Sequence, residues 1–253
     1  MAMAMAMAPS DRYLTLLTSL PAHGPLFGAK QTPLSRLRLE MRLRWLEPED
    51  AEDLARYEAL TAWKDQRFEI DDEALVRQAE QGIAAIHNAF VRELVIWRLE
   101  MRTLVAALRH RHAGGIAPSE RRRWGFGRWV PLIRRHWGEP HFRLERVFPW
   151  LPEAKRLLER DDALGLERLL LGTVWAHLER LGAEQTFGFE AVVAYVACWD
   201  LVARWTRYDA DAALERFDHL VDAGLHEGRS AERQTGLGTG FDALETLLAE
   251  TAA

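Results

Sequence analysis

The longest run of regularly spaced apolar residues is the feature that most constrains the fold of this chain. From Asp71 to Arg111, apolar side chains recur every three or four residues, which is the spacing of one face of an α-helix. A single helix of this length would measure roughly 60 Å. The pattern therefore predicts either a long central spine or two helices bent near Gly82. The apolar residues of the run are Ile83, Ile86, Phe90, Leu94, Trp97, Met101, Leu104 and Leu108.

Other segments repeat the helical spacing, and no segment shows the alternation typical of a strand. The stretch Ser35–Trp45 predicts a basic amphipathic helix in which Leu37, Met41 and Trp45 are spaced by four. The stretch Phe189–Trp205 is the most apolar, so we expect it to be the most buried. The sequence therefore predicts an all-α fold, an elongated or multi-lobed helical bundle with a long central helix.

The domain organisation follows from shifts in composition along the chain. Residues 1–12 predict a disordered N-terminal tail, and residues 13–225 predict the helical domain. Residues 226–253 predict a glycine-rich flexible linker followed by a short helix. A basic Arg/Trp-rich insertion, rich in glycine and proline, is expected inside the helical domain at about 113–149.

Composition also bears on the cellular compartment. No apolar run reaches the roughly 18 residues of a membrane span, so any membrane association is expected to be peripheral and through a partner. The single cysteine, Cys198, lies in an apolar stretch that is typical of a buried core position. This cysteine usage fits a reducing, cytoplasmic location.

The segment from Arg109 to Arg146 is strongly basic. It holds ten arginines and three acidic residues, and because the whole chain has a formal charge of -5, the remainder carries -12. Arginine and tryptophan together can grip nucleic acid or anchor a protein interface. Alternatively, the tryptophans pack under a loop and the arginines pair with acidic helices of the same chain. The candidate docking residues are Arg121, Arg122, Arg123, Trp124, Arg128, Trp129, Arg134 and Arg135.

The sequence contains no recognisable catalytic or cofactor motif. GxSxG, HExxH and CxxC are missing, and GLGTGF at 236–241 lacks the spacing of a dinucleotide or phosphate loop. His110 and His112 stand two apart on a predicted helix and point in different directions, so they predict no metal site. The acidic clusters EPEDAED (47–53) and EIDDE (69–73) are interpreted as solvated helix-start charges. We therefore expect no catalytic residue, no cofactor and no metal.

Three stretches of the chain carry a resemblance to a known family. They are YLTLLTSLP with the Leu- and Arg-rich helix after it, ALRHRHAGG at the end of the long helical run, and the helix pair that begins RDDALGLERLLLG and ends near Asp222. Together, from about Tyr13 to Asp222, they resemble an uncharacterised helical family encoded in bacterial V-type ATPase operons. The resemblance implies a relation to the helical ATPase component that couples the central stalk to the membrane rotor ring.

The resemblance implies a non-catalytic accessory or central-stalk role. The Arg/Trp stretch would then dock on acidic stalk or rotor subunits, with no nucleic acid bound and with membrane association only through the complex. Two alternatives stay open. A nucleic-acid-binding accessory protein using the same arginines predicts strongly salt-dependent binding. A helical enzyme without a recognisable motif predicts a deep polar pocket with converging titratable groups.

Overall fold

The computed structural model describes residues 13–62, 72–119, 123–185 and 187–207. Within these ranges the regular elements are helices, which confirms the all-α prediction. A 3₁₀ turn at Leu26–Gly28 precedes α2. The α-helices are α1 (Leu14–Thr18), α2 (Arg36–Leu43), α3 (Pro48–Thr61), α4 (Asp72–Ala84), α5 (Ala89–His112), α6 (Val130–Arg135), α7 (Leu151–Glu159), α8 (Ala163–Ala183) and the helical segment α9 (189–207).

The chain divides into two compact units, Met1–Ala203 and Arg204–Ala253. In the second unit only residues 204–207 are described, and they are helical. The predicted tail at 1–12 and the predicted linker and short helix at 226–253 lie outside the described residues. The basic insertion predicted at about 113–149 falls within the first unit and includes α6.

The long apolar run is divided between two helices, in agreement with the second predicted alternative. α4 ends at Ala84 and α5 begins at Ala89, so the break follows Gly82 by a few residues. Asn88 caps α5, because its side-chain oxygen accepts the N–H of Val91 at 3.1 Å. At the other end, Gly114 has a φ of +79° and terminates the helix. α5 is the long central helix of the fold.

The side chain of Asp53 on α3 fixes the start of α5. Its carboxylate accepts the backbone N–H of His87 at 2.9 Å and that of Asn88 at 2.7 Å. Burial raises the pKa of this carboxyl, but these hydrogen bonds lower it by more, so the pKa of Asp53 lies below its ordinary value. The interpretation of the 47–53 cluster as solvated charges is therefore wrong for Asp53, which is buried. These two N–H groups precede the first helical residue, Ala89, so Asp53 fixes the entry of the chain into α5 and places a negative charge near the N-terminus of the helix, where it is favourable.

α5 lies at the centre of the described helices. α3, α4, α6 and α7 pack against it, and α7 also packs on α8. The predicted stripe is largely buried, including Leu94, Leu104 and Leu108. Burial extends well beyond the stripe, however, and includes the polar residues Glu100 and Thr103. Neighbouring helices therefore cover α5 on several sides, so it is not an amphipathic helix with one buried and one solvent-exposed face.

α2 forms as predicted, but its predicted apolar row faces solvent. Ser35 caps the helix, and Leu39 is fully buried. The row spaced by four, by contrast, is largely exposed: Leu37 by 67%, Met41 by 56% and Trp45 by 56%. The spacing identified the helix correctly, but the side that packs against the core is the one that carries Leu39.

Candidate docking surface

Six of the eight predicted docking residues lie in the part of the chain that the structure describes. Arg121 and Arg122 lie outside it. The described six are distributed over an irregular loop at 123–129 and over α6. We call the loop, WGFGRW with Arg123 before it, the Arg/Trp segment (residues 123–129). The six residues are Arg123, Trp124, Arg128, Trp129, Arg134 and Arg135.

The Arg/Trp segment is held to α5 by its own backbone. The N–H of Phe126 donates to Thr103 Oγ1 at 2.8 Å, and the N–H of Arg128 donates to Glu100 Oε1 at 3.1 Å. Thr103 and Glu100 are three apart on α5 and lie on one side of the helix. Their hydroxyl and carboxylate therefore accept hydrogen bonds from loop N–H groups that are not paired within a helix or a strand.

Two glycines permit this close approach. Gly125 has a φ of +70° and Gly127 a φ of +96°, a region that residues with a Cβ rarely adopt. A Cβ on Gly125 would lie 2.5 Å from Thr103 Cγ2, and a Cβ on Gly127 would lie 2.4 Å from Glu100 Cγ. The GFG motif within the segment is therefore required both by the backbone conformation and by contact with α5.

Glu100 is the acceptor around which the segment is built. The residue is only 3% exposed, and its second carboxylate oxygen accepts the indole N–H of Trp129 at 3.0 Å. The Arg128 guanidinium approaches the other oxygen, with Nε 3.6 Å away. A buried carboxylate is costly unless it is hydrogen-bonded or paired, and here it is both. Nothing in the local sequence distinguishes Glu100 from an ordinary surface glutamate of a helix.

The tryptophans of the segment contact aromatic rings of the same chain. Trp129 meets Phe148 edge to face, with ring centroids 5.6 Å apart, and Trp124 meets Trp137 at 6.3 Å. The indole N–H of Trp137 donates to the carbonyl of Gly115 at 3.1 Å. Trp124 and Trp129 are only partly exposed. Their role inside the fold is therefore to support the loop, as the intrachain alternative described.

The arginines divide into paired and outward-facing side chains. Arg123 forms an ion pair with Glu80 of α4, Nη1 to Oε2 at 2.8 Å, and both side chains are about half exposed. Arg128 lies over the Trp129 ring at 4.9 Å, yet its side chain is 77% exposed. Arg135 is exposed, and among the described residues its guanidinium has no hydrogen bond or ion pair. Arg134 is partly buried on α6. The intrachain pairing thus accounts for Arg123 and in part for Arg128, whose side chain is paired with Glu100 but still faces solvent, as does that of Arg135.

Arg111, near the end of α5, organises the turn that follows α6. Its guanidinium donates to the carbonyl oxygens of Trp137, Glu139 and Pro140, and it lies 4.6 Å from the Phe142 ring centroid. Burial lowers the pKa of Arg111. Phe142 is fully buried with a φ of +54°, a strained conformation held in place by the surrounding contacts. In the sequence, Arg111 is visible only as part of the basic excess, because the turn that it binds lies 26 to 29 residues away along the chain.

The described residues include a cleft and a buried thiol, Cys198. A cleft of about 240 Å³ is lined by Leu108, Arg111, His112, Lys155, Leu158 and Glu159. Among the lining residues, Lys155 forms an ion pair with Glu159, so these two charges neutralise each other. Burial raises the pKa of the Cys198 thiol to about 12, as expected for a packing residue. Within the described ranges, no three His, Cys, Asp or Glu side chains cluster as metal ligands would.

Two further observations concern membrane spans and similarity to known proteins. Among the described helices, none combines the length and the apolar character needed to cross a bilayer. Comparison of the chain with protein-family models, with curated proteins and with solved structures found no match.

Proposed function

We propose that this chain is a non-catalytic accessory or central-stalk subunit of a bacterial V-type ATPase, which docks on an acidic stalk or rotor subunit through the outward arginines Arg128 and Arg135. The assignment to the ATPase rests on the sequence resemblance described above. The docking mode rests on one observation: the Arg128 side chain is 77% exposed on a backbone that Glu100 binds.

The support for docking is the combination of exposure and rigidity. An arginine on a mobile loop loses conformational freedom when it binds, whereas a loop already fixed to a buried helix loses less. The Arg/Trp segment is fixed to α5 by the hydrogen bonds of Phe126 and Arg128. A partner therefore meets cations at defined positions, which favours specific pairing with carboxylates.

In this proposal the tryptophans support the docking surface and do not themselves contact the partner. Because Trp124 and Trp129 contact Trp137 and Phe148, they support the surface from beneath. The contact with the partner is then mainly electrostatic. Interfaces of this kind associate quickly and weaken as salt rises. Acidic partners suit the surface, and the excess negative charge on the rest of the chain restricts where they bind.

The test is affinity purification of the tagged full chain from its native host, with quantification of co-purified ATPase subunits by mass spectrometry. The variant R128E/R135E reverses two outward charges, and R128Q/R135Q, which places no second carboxylate beside Glu100, is measured with it. The control K30E/R160E makes the same change in net charge at two exposed positions outside the surface. We expect stalk or rotor subunits with the wild type and the control, and a loss of about tenfold or more with R128E/R135E, equivalent to ~1.4 kcal/mol.

Three outcomes would contradict the proposal. One is the absence of ATPase subunits at both low and moderate salt. Another is recovery of nucleic acid in their place, which would favour the nucleic-acid alternative. The third is an equal loss with R128E/R135E and with K30E/R160E, because this would mean that overall charge, and not the outward arginines, governs capture.

A further inference from the structure

α2 presents an apolar ridge of three side chains to solvent. We define the α2 ridge as Leu37, Met41 and Trp45, which are 67%, 56% and 56% exposed. Their spacing of four places Leu37 and Met41 one above the other on the helix, and Trp45 continues the line in the turn after it. Single exposed apolar residues are ordinary, but an aligned set that includes a tryptophan is typical of an interaction surface.

The opposite side of α2 is firmly attached to the rest of the protein. Leu39 is fully buried. Arg36 forms an ion pair with Glu58 of α3, Nη1 to Oε1 at 2.7 Å. Arg42 donates from Nε to the carbonyl of Ser19 at 3.2 Å. The ridge is therefore exposed on an anchored helix, so its exposure does not arise from a loosely attached segment.

Two cations flank the α2 ridge. Arg38 and Arg44 are both exposed, and among the described residues neither guanidinium has a hydrogen bond or an ion pair. Each lies three residues from Met41, on either side of it along the chain, so both are its neighbours on the helix surface. Glu40 is the acidic residue nearest to Met41 in the sequence, and its carboxylate already accepts a hydrogen bond from Arg36 Nε at 2.8 Å. The surface is thus an apolar line with positive charge on both flanks.

We propose that the α2 ridge is a docking site for an acidic amphipathic helix of another protein. Apolar side chains of that helix would cover Leu37, Met41 and Trp45, and carboxylates on its flanks would pair with Arg38 and Arg44. A ridge of two helical turns, about 12 Å long, suits the crossing of one helix over another. This site consists of residues other than those of the proposed function and does not depend on the identity of the ATPase partner.

An anionic membrane surface fits the α2 ridge less well. In-plane membrane helices use many cations along their polar face to hold anionic lipid. Ser35–Trp45 carries four arginines, but Arg36 and Arg42 are bound to Glu58 and to the Ser19 carbonyl, which leaves only Arg38 and Arg44 for a lipid surface. The formal charge of -5 on the whole chain also opposes approach to anionic lipid. A carboxylate-bearing helix needs only the two local cations. Its binding is therefore compatible with the charge of the chain.

The experiment places a photo-crosslinking amino acid at Leu37 or at Met41 of the full chain in the native host. Crosslinked peptides are then identified by mass spectrometry. Ile116, which is 84% exposed and lies elsewhere in the sequence, is the control position. We expect both ridge positions to crosslink to the same acidic amphipathic segment of another protein. We also expect R38E/R44E to reduce this product by about tenfold, equivalent to ~1.4 kcal/mol, while K30E/R160E leaves it unchanged.

Several outcomes would overturn this inference. Crosslinks to lipid would assign the α2 ridge to a membrane surface, and crosslinks to a second copy of this chain or within one copy would assign it to self-association or to the fold. Yields no higher than at Ile116 would show that nothing binds the ridge. A product that R38E/R44E leaves intact would show that charge complementarity does not select the partner. Circular dichroism of the purified variants checks that each one folds.

Discussion

The Arg/Trp segment and α2 differ in how each is attached to the protein. The segment has no regular secondary structure, yet its backbone N–H groups donate to Thr103 and Glu100 of α5. α2 is a regular helix that satisfies most of its own backbone, and it is attached through Leu39 and two arginine side chains. Polar acceptors on a buried helix can therefore fix an irregular loop, while a regular helix can keep one side uncovered.

The largest expected effect separates the two sides of α2. Leu39→Ala removes a fully buried side chain and should lower the free energy of unfolding by about 3 kcal/mol. Leu37→Ala, two residues away with the same change in side chain, should alter it by less than about 0.5 kcal/mol. Urea unfolding followed by circular dichroism measures both variants. Similar losses would show that the α2 ridge is covered within the folded protein, which would also remove the basis for a docking site there.

The next effect concerns the attachment of the Arg/Trp segment. Gly127→Ala places a Cβ at a φ of +96° and 2.4 Å from Glu100 Cγ, which should cost about 2–3 kcal/mol of unfolding free energy. Gly138→Ala is the matched control, because a Cβ there meets no atom within 4 Å. It should be neutral or slightly stabilising. If Gly127→Ala were as mild as Gly138→Ala, the loop would not be held against α5 in solution.

These two regions also show what the sequence could and could not predict. Periodicity located α2 and the helical run of α4 and α5, because helix formation depends on local spacing. Periodicity could not decide which side of α2 is covered, since Leu39 and Leu37 differ only in what packs on them. It also could not identify Glu100 or Asp53 as buried acceptors, because their partners Arg128 and His87 are 28 and 34 residues distant.

The basic segment was recognised from composition, and its internal arrangement was not. Ten arginines among few acids indicate a cationic region whatever the fold. Which of them pair inward depends on tertiary contacts such as that of Arg123 with Glu80. The glycines offered a usable signal, however. Two glycines separated by one residue between tryptophans indicate a backbone that needs positive φ or close approach, as Gly125 and Gly127 do.

A smaller effect tests one hydrogen bond of the attachment. Thr103→Val keeps the shape of the side chain but removes the acceptor of the Phe126 N–H, so it should cost about 1–2 kcal/mol. Thr173→Val on α8 is the control, since the Thr173 hydroxyl donates to the Leu169 carbonyl of its own helix. That change should stay within about 0.5 kcal/mol. Equal effects in urea unfolding would mean that the Phe126 N–H is satisfied by water at no cost.

The smallest expected effect on stability belongs to Arg128→Gln. The guanidinium is 77% exposed and its Nε lies 3.6 Å from the buried Glu100 carboxylate. Because that carboxylate keeps the N–H groups of Arg128 and Trp129 as donors, loss of the guanidinium should cost only about 0.5 kcal/mol. The backbone N–H of Arg128, which Glu100 also accepts, is unchanged by the substitution. Stability should therefore stay close to that of the wild type while capture of the partner falls. A loss of stability comparable to that of Gly127→Ala would instead mean that the Arg128 side chain holds the segment in place and is not available to a partner.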